Sequence, residues 1–135
     1  MAPRDRTTIP FASCQPMVDA IWSDMDLRYP PVIERLSRRA TATIASADRL
    51  SLFLPDRIPA WCLLHEIAHA MSTTVDGRSD GHGPIFMGLY ARLLVRYLRL
   101  DEVSLLASLR QAGISITCDA RPVFLDPDPR HVEAR

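Results

Sequence analysis

The sequence predicts an α+β fold, a small antiparallel sheet packed on a helical core. Three observations lead there. Short Thr-, Ile-, Leu- and Phe-rich segments at 41–45 and 50–54 have strand character. An apolar-rich stretch containing His65-Glu66-Ile67-Ala68-His69 reads as a helix buried on most sides, and residues 84–100 carry apolar side chains at helical spacing. The chain has 135 residues, 47% of them hydrophobic, which suffices for one core and leaves no room for a second.

The elements follow in chain order. Residues 1–12 are expected to form a flexible leader, 13–118 a single domain, and 119–135 a Pro- and Asp-rich disordered tail. A first helix is predicted over 13–27, with the Ser13 hydroxyl as its cap and with Met17, Ile21 and Met25 inward beside Trp22. Tyr29-Pro30-Pro31 stops it, because proline cannot continue a helix and biases the preceding residue away from helical angles. Residues 32–36 fit a strand or a short helix. The segments at 41–45 and 50–54, joined by Ser46-Ala47-Asp48-Arg49, predict a hairpin. Pro59 suits the first turn of the motif helix. Over 84–100, Phe86, Leu89, Tyr90, Leu93, Tyr97 and Leu100 form the inward stripe of a second helix packed under the first. A third begins at Asp101, turns Val103, Leu106 and Leu109 inward, and ends at Gly113. Ile114, Ile116 and Cys118 alternate like a short strand.

The chemistry concentrates in two motifs. Residues four apart share a helix face, so His65 and His69 can aim imidazole nitrogens at one metal ion. Glu66 is turned by about 100°, which keeps its carboxylate beside the metal and free to accept a proton from an activated water. The competing interpretation makes these groups hydrogen-bonded core residues with no metal. Burying three titratable groups without a partner is costly, and Zn²⁺ removes that cost by taking the imidazole lone pairs. A catalytic zinc site needs a third protein ligand, and His82 in Asp80-Gly81-His82-Gly83-Pro84 is the candidate. Gly81 and Gly83 permit backbone angles closed to other residues, and Pro84 opens the next helix, so His82 would sit at a helix entrance. Asp76 and Asp80 are rival oxygen ligands, and His131 lies in the tail.

With these motifs the chain resembles the SprT-like zinc metallopeptidases, the Spartan-type zincin domain. The matching residues are His65-Glu66-x-x-His69-Ala70 and Asp80-Gly81-His82-Gly83-Pro84-x-Phe86, followed by an amphipathic helix. The resemblance implies a zincin-like fold, zinc on His65, His69 and His82, Glu66 as the catalytic acid/base, and an edge strand that pairs with an extended substrate backbone. Many members carry a Cys-rich zinc ribbon after this domain. These residues hold only Cys14, Cys62 and Cys118, with no C-x-x-C, so the DNA-directed role does not transfer with the motifs.

Composition narrows the partners. All 16 basic residues are arginine, balanced by 16 acidic ones, so net charge gives no attraction to nucleic acid or anionic lipid. Arg92, Arg96 and Arg99 share a helix face and Arg35, Arg38 and Arg39 cluster; either group can meet phosphate, but the neutral total favours solvated surfaces. No run reaches the roughly 20 apolar residues of a membrane span, and no signal-peptide-like run opens the chain. Three widely spaced cysteines do not make a disulfide framework, which predicts a cytoplasmic protein with free thiols.

The expected activity is zinc-dependent hydrolysis of a peptide bond in a protein or peptide substrate, with Tyr90 and Arg78 as conceivable oxyanion donors. Cys62, three residues before His65, either approaches the metal or packs in the core. No nucleophile elbow points to covalent catalysis. The alternatives are a catalytically silent, zinc-stabilised binding module attached to protein or DNA, and hydrolysis of a non-peptide amide.

Overall fold

A computed structural model describes residues 8–36, 46–74, 76–117 and 120–122. Its described residues form four helices and two small sheets, an α+β arrangement. β1 (Thr8–Pro10) pairs antiparallel with β5 (Arg57–Pro59), matching Ile9 with Ile58. Both isoleucines are buried while Thr8, Pro10 and Arg57 are exposed, the alternation of a strand with one face on the core. Residues 8–10 of the expected leader are therefore structured; a single inward isoleucine between turn-forming neighbours is too short a pattern to read as a strand.

Helix α1 (Phe11–Asp24) follows β1 directly, its Phe11 amide donating to the Asp56 carbonyl at 2.8 Å. It thus begins two residues before Ser13, which caps nothing. Cys14, Val18, Ile21 and Trp22 are its buried positions, so the inward stripe is rotated from the expected one and Met17 and Met25 lie at the rim of the core. The helix stops before Pro30. Asp26 takes φ +58° and the Leu27 amide reaches back to the Trp22 carbonyl at 2.9 Å, a Schellman-type ending.

The second sheet has the order β2-β4-β3. Residues Val32–Arg35 form strand β2, which settles the 32–36 ambiguity. The short β3 (Ser46–Ala47) pairs antiparallel with β4 (Ser51–Leu54), across a turn in which the Asp48 carboxylate accepts the Leu50 and Ser51 amides at 2.9 and 2.8 Å. The predicted hairpin exists in this shorter form; its first strand, at 41–45, lies outside the described residues. Against expectation the sheet is mixed, because β2 runs parallel to β4. The fifteen residues between the two strands are long enough for the crossover a parallel pair requires. Gln15 covers the outer edge of β2, accepting the Ile33 amide at 2.8 Å and donating to the Pro31 carbonyl at 3.0 Å.

Arg49 is the charged anchor of this half. It is 3% exposed, lies over the Trp22 ring, and donates to the Tyr29 and Arg28 carbonyls at 3.0 and 3.4 Å. The guanidinium thereby satisfies the backbone of the turn that follows α1.

Three more helices complete the core: α2 (Ala60–Met71), α3 (Pro84–Tyr97) and α4 (Glu102–Gln111). Pro59 ends β5 and caps α2 rather than entering its first turn. Leu63, Leu64, Ile67 and Met71 of α2 join Phe86, Leu89 and Leu93 of α3 in one buried cluster with α1 and β4. Arg99, at φ +55°, ends α3 three residues short of the expected 100. The Asp101 carboxylate caps α4 by accepting the Ser104 amide at 2.9 Å, and Gly113, at φ +73°, follows its end. Leu105 and Leu109 face inward and Leu106 is half-buried; Val103 is 77% exposed, because the inward stripe starts two residues later than the apolar pattern suggested.

Residues 114–117 form no strand but cross α3, with the Thr117 amide on the Pro84 carbonyl at 3.0 Å. They pass so close that a Cβ on Gly88 would lie 2.1 Å from the Thr117 carbonyl oxygen. Cys118, residues 123–135 of the expected tail and residues 1–7 lie outside the described residues, as do Arg38 and Arg39; within the tail, Ala120 is buried in the core and its amide donates to the Thr117 carbonyl at 3.0 Å, against the expected disorder at that position. Of the arginines singled out above, Arg96 pairs with Asp24 at 2.9 Å, and Arg35 pairs with Asp56 while lying 4.2 Å over the Phe11 ring. Among the described residues no helix is long and apolar enough to cross a membrane.

Two variants test this packing by urea denaturation. Gly88→Ala is expected to lose about 1–3 kcal/mol through overpacking. Arg49→Ala is expected to lose about 1–3 kcal/mol through loss of its hydrogen bonds to the turn and of its packing on Trp22.

Candidate metal centre

His65 and His69 lie one turn apart on α2 and project from the same side of it. The loop that returns the chain to them is tightly organised. Thr73 and Ser79 form an isolated antiparallel bridge, the Thr74 amide donates to the Arg78 carbonyl at 2.8 Å, and the Thr74 hydroxyl accepts the Arg78 amide at 2.9 Å. The Ser72 and Thr73 hydroxyls donate to the His69 carbonyl, satisfying an orphan acceptor at the end of α2.

Asp80 then sets the position of His82. Its Oδ2 accepts the Ile85 amide at 2.8 Å, its Oδ1 the Phe86 amide at 3.3 Å, and its carbonyl the Gly83 amide at 2.9 Å. The carboxylate thus serves the N-terminus of α3 from outside it, where both hydrogen bonds and the helix dipole favour negative charge. This removes Asp80 as an oxygen ligand. Asp76 pairs with Arg78 and accepts the Thr74 hydroxyl, so it too is engaged within the loop. Gly81 has the expected left-handed backbone, at φ +65°. Gly83 does not, at φ −74°; it is glycine because a Cβ there would come 2.7 Å from the Asp80 carboxylate.

The three imidazoles converge. One ring nitrogen from each of His65, His69 and His82 lies within 4.8 Å of the others, and the His69 and His82 Nε2 atoms are 3.0 Å apart. Tetrahedral Zn²⁺ with bonds of about 2.05 Å separates its ligand nitrogens by about 3.3 Å. The widest spacing the cluster allows exceeds that value by about 1.5 Å, a distance that side-chain torsions can close. Among the described residues the cluster comprises these three side chains, and Cys62 is not in it. His131 lies outside the described residues.

The aromatic residues of α3 form the bed beneath the cluster. Phe86, fully buried, stacks on His69 with centroids 4.2 Å apart and meets the edge of His65 at 5.1 Å. Tyr90 packs edge-on against His65 at 5.3 Å, and its hydroxyl donates to the Trp61 carbonyl at 3.3 Å. That bond occupies the proposed oxyanion donor, and burial raises the Tyr90 phenol further above its ordinary value. Arg78, the other candidate, is exposed and paired with Asp76. The sequence analysis placed Phe86 and Tyr90 on the helix stripe, Phe86 also in the second motif and Tyr90 also as a conceivable oxyanion donor, but gave neither a role under the imidazoles; their one-turn spacing after His82 was the available signal for it.

Electrostatics favour a cation at this position. Burial lowers the His69 imidazole to about 4, so its lone pair is free at neutral pH. Glu66 is 5% exposed, with Oε1 3.6 Å from His65 Nδ1 and with Oε2 lacking any hydrogen-bond partner among the described residues. A carboxylate oxygen buried in that condition costs free energy unless a donor or a cation sits beside it. The residues present therefore fit a divalent metal with an attached water.

Comparison with protein-family models, curated proteins and solved structures yields no match to this chain.

The Asp80 bridge is open to test. Asp80→Ala is expected to cost about 1 kcal/mol in denaturant unfolding and to weaken metal uptake about 10- to 100-fold, as loss of a ligand-orienting group does. Asp80→Asn, which keeps one acceptor oxygen, is expected to recover part of both.

Proposed function

We propose that this chain is a zinc-dependent metallopeptidase of zincin-like fold, similar to the SprT-like family. In this reading His65, His69 and His82 hold Zn²⁺, and Glu66 is the general base. The observation that carries the proposal is the buried, unpartnered Glu66 oxygen next to three converged imidazoles. A purely structural metal site has no use for such a carboxylate and is closed by a fourth protein ligand; among the described residues no fourth joins this cluster.

Bound zinc supplies Lewis acidity, which lowers the pKa of a water toward about 7 and polarises a scissile carbonyl. The protein's own groups do the rest. His69, neutral and stacked on Phe86, has its ring plane fixed before a metal arrives. His82 is exposed, so the cluster opens to solvent on its side and a substrate can reach it. Glu66 takes the proton of the attacking water and returns it to the departing amine. Its buried surroundings keep bulk water from competing for that proton.

The sheet supports an extended substrate. Gln15 already occupies the outer edge of β2, which leaves β3 as the open edge among the described residues, and β3 packs on α2. A peptide pairing with β3 would run beside the motif helix. The neutral charge balance and the ion pairs of Arg35 and Arg96 give no support to a nucleic-acid partner.

Zinc analysis combined with cleavage of a disordered test protein, with and without single-stranded DNA, tests this function. The wild-type chain is expected to bind one equivalent of zinc and cleave the protein. Glu66→Gln is expected to retain zinc and lose about 10²–10⁴-fold in turnover, while His82→Ala is expected to lose zinc affinity. Zinc retention by a wild-type chain that cleaves nothing would point instead to a metal-stabilised binding module.

A further inference from the structure

A cleft of about 390 Å³ adjoins the cluster between α3 and α4, with His65 and His82 among its lining residues. Its volume is that of sites that take small molecules or single side chains. Its walls are apolar, with Met87 and Ala91 of α3 facing Leu105 and Leu109 of α4. Among the described residues no acidic side chain, arginine or lysine lines it. Two polar side chains of the lining, His65 and His82, stand together with ring centroids 5.2 Å apart, and the Tyr90 hydroxyl is already engaged by the Trp61 carbonyl.

We propose that this cleft is the specificity pocket of the site and takes a large aliphatic or aromatic side chain adjoining the scissile bond. The proposal rests on the hydrolytic reading of His65, His69, His82 and Glu66. The two neighbouring imidazoles give the orientation. A peptide unit presents a polar backbone and an apolar side chain in fixed proximity, and the cleft presents polar imidazoles beside apolar walls. A charged side chain entering here would lose its hydration with no partner to replace it. A glycine would leave the interior unfilled. Two regular helices form the walls, so the pocket is preformed and costs little ordering on binding.

The test uses the full zinc-loaded chain with labelled Met, Ala, Leu and Ile methyl groups. N-acetyl-leucinamide, N-acetyl-phenylalaninamide, N-acetyl-lysinamide and N-acetyl-glycinamide are titrated in turn and followed by methyl NMR. The leucine and phenylalanine probes are expected to shift the Met87, Ala91, Leu105 and Leu109 methyls, with at least tenfold tighter binding than the other two. In parallel, peptides differing at one residue are expected to be cleaved with kcat/KM roughly 10- to 100-fold higher for Leu or Phe than for Gly. Ala91→Trp, which fills the cleft, is expected to collapse that ratio to within about threefold. Equal responses to all four probes overturn the pocket, as do contacts from these methyls to another segment of this chain or to a second copy. A selective methyl response from a protein that cleaves no peptide upholds the pocket and overturns the hydrolytic reading. Cleavage without residue preference and without methyl shifts does the reverse.

Discussion

The hydrogen bonds that the first amides of α3 donate to the Asp80 carboxylate are the interaction on which the site depends. Two of the imidazoles come from one helix, so their separation is fixed by helical geometry alone. The third comes from a loop, whose conformational freedom would spread His82 over many positions. Asp80 removes that freedom by joining the loop to the one place in α3 where unpaired N–H groups point outward. Phe86, which donates to Asp80 and stacks on His69, links the same helix end to α2. A single short segment thus carries the positional information for the loop ligand and for the bed beneath the helical ones.

Free energy at the centre is distributed unevenly. The hydrophobic cluster around Leu63, Ile67, Phe86 and Leu89 holds α2 against α3, and beside it the protein keeps a buried carboxylate, Glu66, and a half-buried imidazole, His69, both partly withdrawn from water. Strain of this kind is typical of functional sites, which retain groups whose cost is met only when a ligand is present. Arg49 shows the opposite case. It is a buried charge that donates to two backbone carbonyls and lies over an aromatic face, and it serves the fold.

The sequence revealed the site better than the sheet. His65, Glu66, His69 and His82 were legible because helical spacing places three of them and a Gly-His-Gly-Pro turn places the fourth. Leu50 to Leu54 and the Asp101 cap were legible for similar local reasons. What failed were properties set by distant partners. The parallel pairing of β2 with β4 depends on a crossover that no local pattern encodes, and β1 is only three residues long. The phase of α1 was misread because Cys14 and Val18 face the core while the more conspicuous Met17 and Met25 line its rim. The reason for Gly83 was misread for the same cause: crowding by Asp80 is visible only in three dimensions.

The stretch after Arg99 has a consequence of its own. α4 and the crossing segment at Thr117 are attached to α3 at two separate places, Arg99 and Gly88, and neither belongs to the histidine cluster. The histidine cluster and the apolar cleft beside it therefore draw on different stretches of chain, 65–86 for the first and chiefly 87–114 for the second. Substitution in the later stretch can reshape the cleft wall while leaving the three converged imidazoles in place.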